Sequence, residues 1–214
     1  MRAIIIANGD CDNPKQLAAL FRADDFVIAV DGGARHCETL SAYPDLLIGD
    51  FDSLDKPILK HFVADDVKML CYPRHKDQID LELAVDHAIA EGATEIAIIT
   101  AMGGRWDMTL ANLFLLTQEK YAMFELYLTD TVQRGQVIRA GSAVTLTVKA
   151  GGRFSLIPLL GDATGISAND LEYPLANHTL SLGSTKGLSN RTLADAITIE
   201  LQQGLVYACY EIGD

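Results

Sequence analysis

Up to about residue 130 the chain alternates short apolar runs with segments of helical spacing, and beyond that point the helical spacing stops. Runs suited to buried strands occur at 3–7, 26–30, 46–48, 67–71, 95–100 and 124–129. Helix-like segments lie between them, notably at 15–21, 57–63, 79–90 and 107–118. Strands that alternate with helices build a mostly parallel sheet covered on both faces, so residues 1–130 are expected to form an α/β domain. Residues 131–214 instead show short alternating segments at 137–138, 144–148, 154–160, 175–182, 196–201 and 205–210. Glycine turns punctuate them at Gly151-Gly152, Gly161-Asp162 and Gly183-Ser184. This is the pattern of an all-β sandwich.

Charge is divided unevenly between the two portions. Residues 1–130 hold 22 Asp and Glu against 11 Lys and Arg, whereas 131–214 hold 7 against 6, within a net charge of −12. An acidic chain lacks the basic face that nucleic acid or an anionic membrane requires, so neither is expected as a partner. Cys11, Cys37, Cys71 and Cys209 show no paired spacing, and His36, His61, His75, His87 and His178 show no metal-ligand spacing. Buried free thiols in a reducing, cytoplasmic setting are the simplest reading. The apolar run that opens the chain turns at Asn8-Gly9, too soon for a signal peptide or a membrane span.

The acidic excess gathers where strands should end. Ile48-Gly49-Asp50-Phe51-Asp52-Ser53 runs from an apolar strand into two carboxylates two residues apart. In extended backbone those side chains would share one face, about 7 Å apart, and could meet one hard cation. The alternative is an ordinary turn, with Ser53 capping the next helix. Asp77 and Asp80 are expected in the first turn of a helix beginning near Gln78, with Arg74 and Lys76 beside them as anion-binding groups. In Gly103-Gly104-Arg105-Trp106-Asp107, glycines let backbone approach a ligand and Arg105 offers a planar fork for phosphate. Asp107 reads equally as a helix cap. Asp31-Gly32-Gly33-Ala34 is a glycine turn into a helix, able to cradle an anion. In parallel α/β sheets ligands bind outside the carboxyl ends of the strands, where the turns at 31–35, 49–53 and 101–107 should fall. No P-loop, dinucleotide fingerprint or G-x-S-x-G element is present.

The order of these motifs, completed by Leu110-Ala111-Asn112-Leu113 and Gly187-Leu188-Ser189-Asn190, resembles the thiamine pyrophosphokinase family over nearly the whole chain. The resemblance implies an α/β catalytic domain and a β-sandwich that binds thiamine and dimerises. It also implies an ATP:thiamine diphosphotransferase (EC 2.7.6.2) that moves the pyrophosphoryl group of ATP to the hydroxyethyl arm of thiamine and releases AMP. Carried over by position, Asp50, Asp52 and Asp80 would hold Mg²⁺ with Asp77 in support. Asp31, Gly32, Gly33, Lys76, Arg105 and Asp107 would serve ATP, and Ser189 and Asn190 thiamine, with each site built across a homodimer. The family's usual Thr is Ile79 here and its usual His is Met108. The single tryptophan, Trp106, excludes a C-terminal Trp as the group stacked on thiamine. Competing expectations are a pyrophosphokinase for another hydroxyalkyl heterocycle such as a pterin, a Mg²⁺-dependent phosphohydrolase, and a noncatalytic thiamine- or nucleotide-binding protein.

Overall fold

The computed structural model describes residues 1–52 and 54–213. Ser53, expected as a helix cap, lies outside the described residues. The chain divides into two compact units, Met1–Thr131 and Val132–Asp214.

The first unit is α/β. Strands β1 (Arg2–Ile6), β2 (Phe26–Val30), β3 (Leu46–Gly49), β4 (Lys68–Cys71), β5 (Glu95–Ile99) and β6 (Glu125–Thr129) alternate with five helices. These are α1 (Pro14–Ala18), α2 (Ala34–Leu40), α3 (Lys56–Ala64), α4 (Asp80–Ala90) and α5 (Trp106–Leu115). The strands are parallel in the order β4-β3-β2-β1-β5-β6. Central strands are apolar on both faces because both faces are covered. Ile4, Ile6, Val27, Ala29 and Leu47 pack with Leu17, Cys37, Leu40 and Phe62 of α1, α2 and α3. Helix α4 lies on β1, β2 and β3 and buries Leu81, Ala84, Val85 and Ala88, which recur at helical spacing. The connection from β4 through α4 to β5 jumps across the sheet, so the strand order reverses beside β1. That is where an open α/β sheet offers a crevice.

The second unit is all-β, with strands β7 (Gln133–Arg139), β8 (Val144–Thr147), β9 (Arg153–Ala168), β10 (Leu175–Leu180), β11 (Asn190–Arg191), β12 (Ala196–Glu200) and β13 (Gln203–Glu211). The expected turn at Gly161-Asp162 is instead a bend inside the long strand β9. Leu160 at φ 58° and Gly161 at φ 131° redirect the strand without ending it. Its first half pairs with β13 and β11, and its second half with β10 and β12. One strand thus serves both sheets of the sandwich, which enclose Phe154, Leu156, Ile166, Ile197, Ile199 and Val206.

All four cysteines are free, but only Cys37 is buried; Cys71 is exposed and the other two are half-buried, which corrects the expectation of buried thiols. Among the described residues no helix is long and apolar enough to cross a membrane.

Candidate active site

A cavity of about 990 Å³ opens at the carboxyl ends of the parallel strands in the first unit. Its walls come from the turns after β1, β2, β3 and β5 and from the first turns of α4 and α5.

The acids reach this cavity by a route other than the extended strand suggested by their spacing. Strand β3 ends at Gly49, and Phe51 adopts φ 59°, so Asp50 and Asp52 sit on a turn. The Asp52 N–H donates to Asp50 Oδ1 at 3.0 Å, which locks that turn locally. Asp31 grips it from the neighbouring strand end: its Oδ1 accepts the N–H groups of Asp50 at 3.0 Å and Phe51 at 3.3 Å. The grip requires a glycine at position 49, because a Cβ there would overlap the Asp31 carboxylate. Asp31 at φ 45°, Phe51 at φ 59° and Thr100 at φ 51° place left-handed non-glycine residues after the carboxyl ends of β2, β3 and β5. Such strain persists only where the surroundings enforce it, and it collects at functional sites.

Asp31, Asp50, Asp52 and Asp80 all line the cavity. Burial, and then the Asp80 carboxylate beside it, push the Asp31 carboxyl up to about 6. Asp80 opens α4, with Ile79 as N-cap, so Asp77 falls in the bend before the helix and not in its first turn. Asp77 is exposed and is not among the cavity-lining residues. Lys76 Nζ stands 2.9 Å from Asp80 Oδ1, yet that oxygen has no aligned hydrogen bond among the described residues. The contact is an ion pair of poor hydrogen-bond geometry.

The described residues hold no pre-gathered set of three metal-ligating side chains. Mg²⁺ commonly takes only one or two carboxylates, with substrate phosphates and water completing its octahedron. The raised Asp31 carboxyl and the under-bonded Asp80 oxygen mark a site whose repulsion a cation would relieve, so the donor set fits that ion.

Arg105 lines the cavity and is the N-cap residue of α5, so Asp107 lies inside the helix and does not cap it. The Arg105 guanidinium pairs with Asp107 through both nitrogens, Nε to Oδ1 at 3.1 Å and Nη2 to Oδ2 at 2.5 Å. That hydrogen bonding raises Arg105 further and holds the Asp107 carboxyl below its ordinary value. An incoming phosphate would compete with Asp107 for the same fork. Gly32 and Gly33 are buried beneath the site and pack on the turn after β1; they do not line the cavity.

Sequence reasoning used the Asn8-Gly9 turn only to end the first apolar run and gave it no part in the site, although an Asn-Gly pair at the end of a central parallel strand was the available signal. The Gly9 N–H donates to Thr100 O at 2.7 Å and the Asp10 N–H to Met102 O at 2.8 Å, which zips the turns after β1 and β5 together. Thr100 Oγ1 donates to Ala7 O at 2.7 Å, and His36 Nε2 to Gly9 O at 3.0 Å. Burial lowers the His36 pKa, so the ring is a neutral donor that steadies this turn. Arg35, also passed over, lines the cavity and reaches Asn8 Oδ1 at 3.3 Å.

Ser189 and Asn190 belong to the second unit and are described there alone. Ser189 is exposed at φ 59°, and its N–H donates to Ser155 Oγ at 3.1 Å. Asn190 is buried, with its amide given to backbone. Nδ2 donates to Tyr173 O at 2.7 Å, while Oδ1 accepts the N–H groups of Tyr173 at 3.0 Å and Arg191 at 2.9 Å.

Residues 17–128 match the family model for the thiamin pyrophosphokinase catalytic domain, and residues 143–206 match that for the thiamin pyrophosphokinase vitamin B1 binding domain. The thiamine pyrophosphokinase of Bacillus subtilis is 28% identical over 179 residues, 84% of each chain. A crystal structure of the Bacillus subtilis thiamine pyrophosphokinase superposes with TM-score 0.88 at 24% identity over 100% of both chains. One from Geobacillus thermodenitrificans superposes with TM-score 0.86 at 28% identity, covering 100% of this chain and 98% of the other.

Proposed function

The chain belongs to the thiamine pyrophosphokinase family, and from that premise we propose that it transfers the pyrophosphoryl group of ATP to the hydroxyethyl oxygen of thiamine, yielding thiamine pyrophosphate and AMP. The observation that carries this reading is the gathering of Asp31, Asp50, Asp52, Asp80, Lys76 and Arg105 around one cavity at a strand-order reversal. A pterin as acceptor is not favoured, because residues 143–206 match a vitamin B1 binding model.

Asp50, Asp52 and Asp80 would hold Mg²⁺, which when bound neutralises charge on phosphate oxygens. Asp31 fixes the turn that carries Asp50 and Asp52, through the two backbone hydrogen bonds it accepts. Lys76 and Arg105 bring positive charge to the same cavity for the triphosphate and for the oxygens that gain charge as the bond to the β-phosphorus changes hands. Holding both substrates in line supplies much of the remaining acceleration, so no strong base is needed. Asp107 tunes Arg105 as its partner, and Gly32 and Gly33 let the turn after β2 pack closely on the turn after β1 that lines the cavity. Asp77 is exposed and would act on the site only through the bend that leads into Asp80.

Thiamine would be met by the β unit of a partner chain in a homodimer. Ser189 would make the contact, and Asn190 would hold Tyr173 and the strand beside it in place. The four free cysteines agree with a cytoplasmic location.

Incubation with ATP, Mg²⁺ and thiamine should yield thiamine pyrophosphate and AMP in equal amounts by mass spectrometry. Phosphate released from ATP with no acceptor consumed would favour a phosphohydrolase instead. At a thiamine concentration low enough that both parents are inactive, mixing Asp52→Asn chains with Asn190→Ala chains should restore activity if sites are shared between chains, since one of the two composite sites then carries neither change. Verified subunit exchange without recovery would overturn the shared site.

A further inference from the structure

Arg35, Arg74, Lys76 and Arg105 line the cavity, and all but one of these cations are already answered by acids. Arg74 stands 3.8 Å from Asp52 Oδ2, Lys76 stands 2.9 Å from Asp80 Oδ1, and the Arg105 fork takes Asp107 at 2.5 Å. Arg35 is the exception: no acid pairs with it among the described residues. Neutral groups hold it instead, with Nε donating to Gly32 O at 3.2 Å and Nη2 to Asn8 Oδ1 at 3.3 Å. These contacts leave Nη1 and the second hydrogen of Nη2 for a ligand. The residue is exposed at the cavity wall, so reaching those hydrogens requires no opening of the structure.

Gly32 is what lets the side chain lie there. A Cβ at that position would meet Arg35 Nη2 and the Asn8 amide, so the guanidinium folds back over the glycine turn. Its place is fixed while its charge is not neutralised, and a guanidinium in that state binds phosphate oxygens with little further loss of freedom. It also approaches from a separate side. Arg35 is tied to the turns after β1 and β2, whereas Arg74 and Lys76 precede α4 and Arg105 caps α5. We propose that Arg35 binds a phosphate group of the nucleoside triphosphate, as a further substrate-binding residue held in position by Asn8 and Gly32. This rests on the reading that the cavity serves ATP.

Kinetics and direct binding test the assignment. Arg35→Met should raise the KM for ATP by about tenfold to a hundredfold and leave that for thiamine within about twofold of wild type. Arg35→Lys keeps the charge without the fork and should lose less. If Arg35 merely stapled the turns after β1 and β2, its loss would lower the melting temperature or kcat without singling out ATP. A KM for ATP within about twofold of wild type in Arg35→Met, or an equal rise for both substrates, would overturn the proposal. The second measurement is calorimetry with the Mg²⁺ complex of inorganic tripolyphosphate and no thiamine. Wild type should bind it at least about tenfold more tightly than Arg35→Met, and equal affinities or no binding by wild type would overturn the proposal. That titration needs no turnover, so it decides the role of Arg35 even if wild type makes no thiamine pyrophosphate, the outcome in which the proposed reaction itself fails.

Discussion

Each unit of the molecule buries one asparagine and one threonine, and the two pairs are used differently. In the β unit, Asn190 satisfies both backbone groups of Tyr173, while the Thr192 hydroxyl donates to the carbonyl of Lys149 and accepts the Gly152 N–H. These are staples that hold loops to a sandwich. In the α/β unit, Thr100 joins the ends of β1 and β5, and the Asn112 amide holds Ala101 O while its Oδ1 has no hydrogen-bond partner among the described residues. Left-handed non-glycine residues occur in both units. Leu160 bends a strand of the β unit, whereas Asp31, Phe51 and Thr100 crowd the carboxyl ends of parallel strands. The α/β unit thus sets three of its left-handed residues at strand ends beside the cavity, as a preorganised site requires, whereas the β unit spends its buried polar side chains on holding loops.

The largest effect should follow from removing a charge where bonding is incomplete. Asp52→Asn is expected to lower kcat/KM at limiting Mg²⁺ by about a thousandfold with the melting temperature nearly unchanged, since the exposed carboxylate contributes little to packing. Asp50→Asn and Asp80→Asn should behave alike; near-normal activity in all three would return these acids to turn and cap roles.

A second change sharpens the contrast, because it affects a structural charge of the same unit. Asp25 has a fully buried side chain and meets Arg2 through two hydrogen bonds, Nε to Oδ1 at 2.7 Å and Nη2 to Oδ2 at 2.6 Å. Burial alone would raise the Asp25 carboxyl, but Arg2 and the Arg22 N–H outweigh it and hold the pKa below 3.8. The pair therefore stabilises the fold fully above that value, and the contribution is lost as pH falls through the lowered folded pKa. Asp25→Asn should cost about 3 kcal/mol by denaturant unfolding at pH 7 and progressively less as the pH falls through the lowered folded pKa, while the ATP dependence of the surviving activity is unchanged. A cost that does not change with pH would show that the charge does not matter.

Gly49→Ala comes next. The new Cβ would displace the Asp31 carboxylate, so about 2 kcal/mol of stability and a tenfold or larger share of activity should be lost together. Loss of stability alone would separate Asp31 from the working geometry. The smallest effect is expected in the β unit, where Asn190→Ala uncovers the backbone of Tyr173 at a cost of about 1–2 kcal/mol. Activity should fall through the KM for thiamine and not through that for ATP.

What could be read from the sequence follows from how local each feature is. The run Phe26–Val30 is a strand over the residues expected, because five consecutive apolar, mostly β-branched residues satisfy a strand covered on both faces. Helix α4 was legible for the same reason, through Leu81, Val85 and Ala88. Side-chain direction at the turns was not legible. The spacing of Asp50 and Asp52 suggested a shared strand face, but Phe51 turns left-handed where Asp31, just past the end of β2, binds two amides of the turn. Asp107 read as a cap, yet its carboxylate is taken by Arg105 two residues earlier. The 160–161 step read as a turn because a glycine bend in a shared strand has the same local signature.

The central claim is that one acidic cavity moves two phosphoryl units in a single step, and a single-turnover reaction with ATP labelled at the β-phosphorus tests it most directly. With enzyme in excess of ATP and with Mg²⁺ and thiamine present, the label should appear in thiamine pyrophosphate at the rate at which unlabelled AMP is formed. Label retained in ADP, with thiamine monophosphate as the first product, would contradict it.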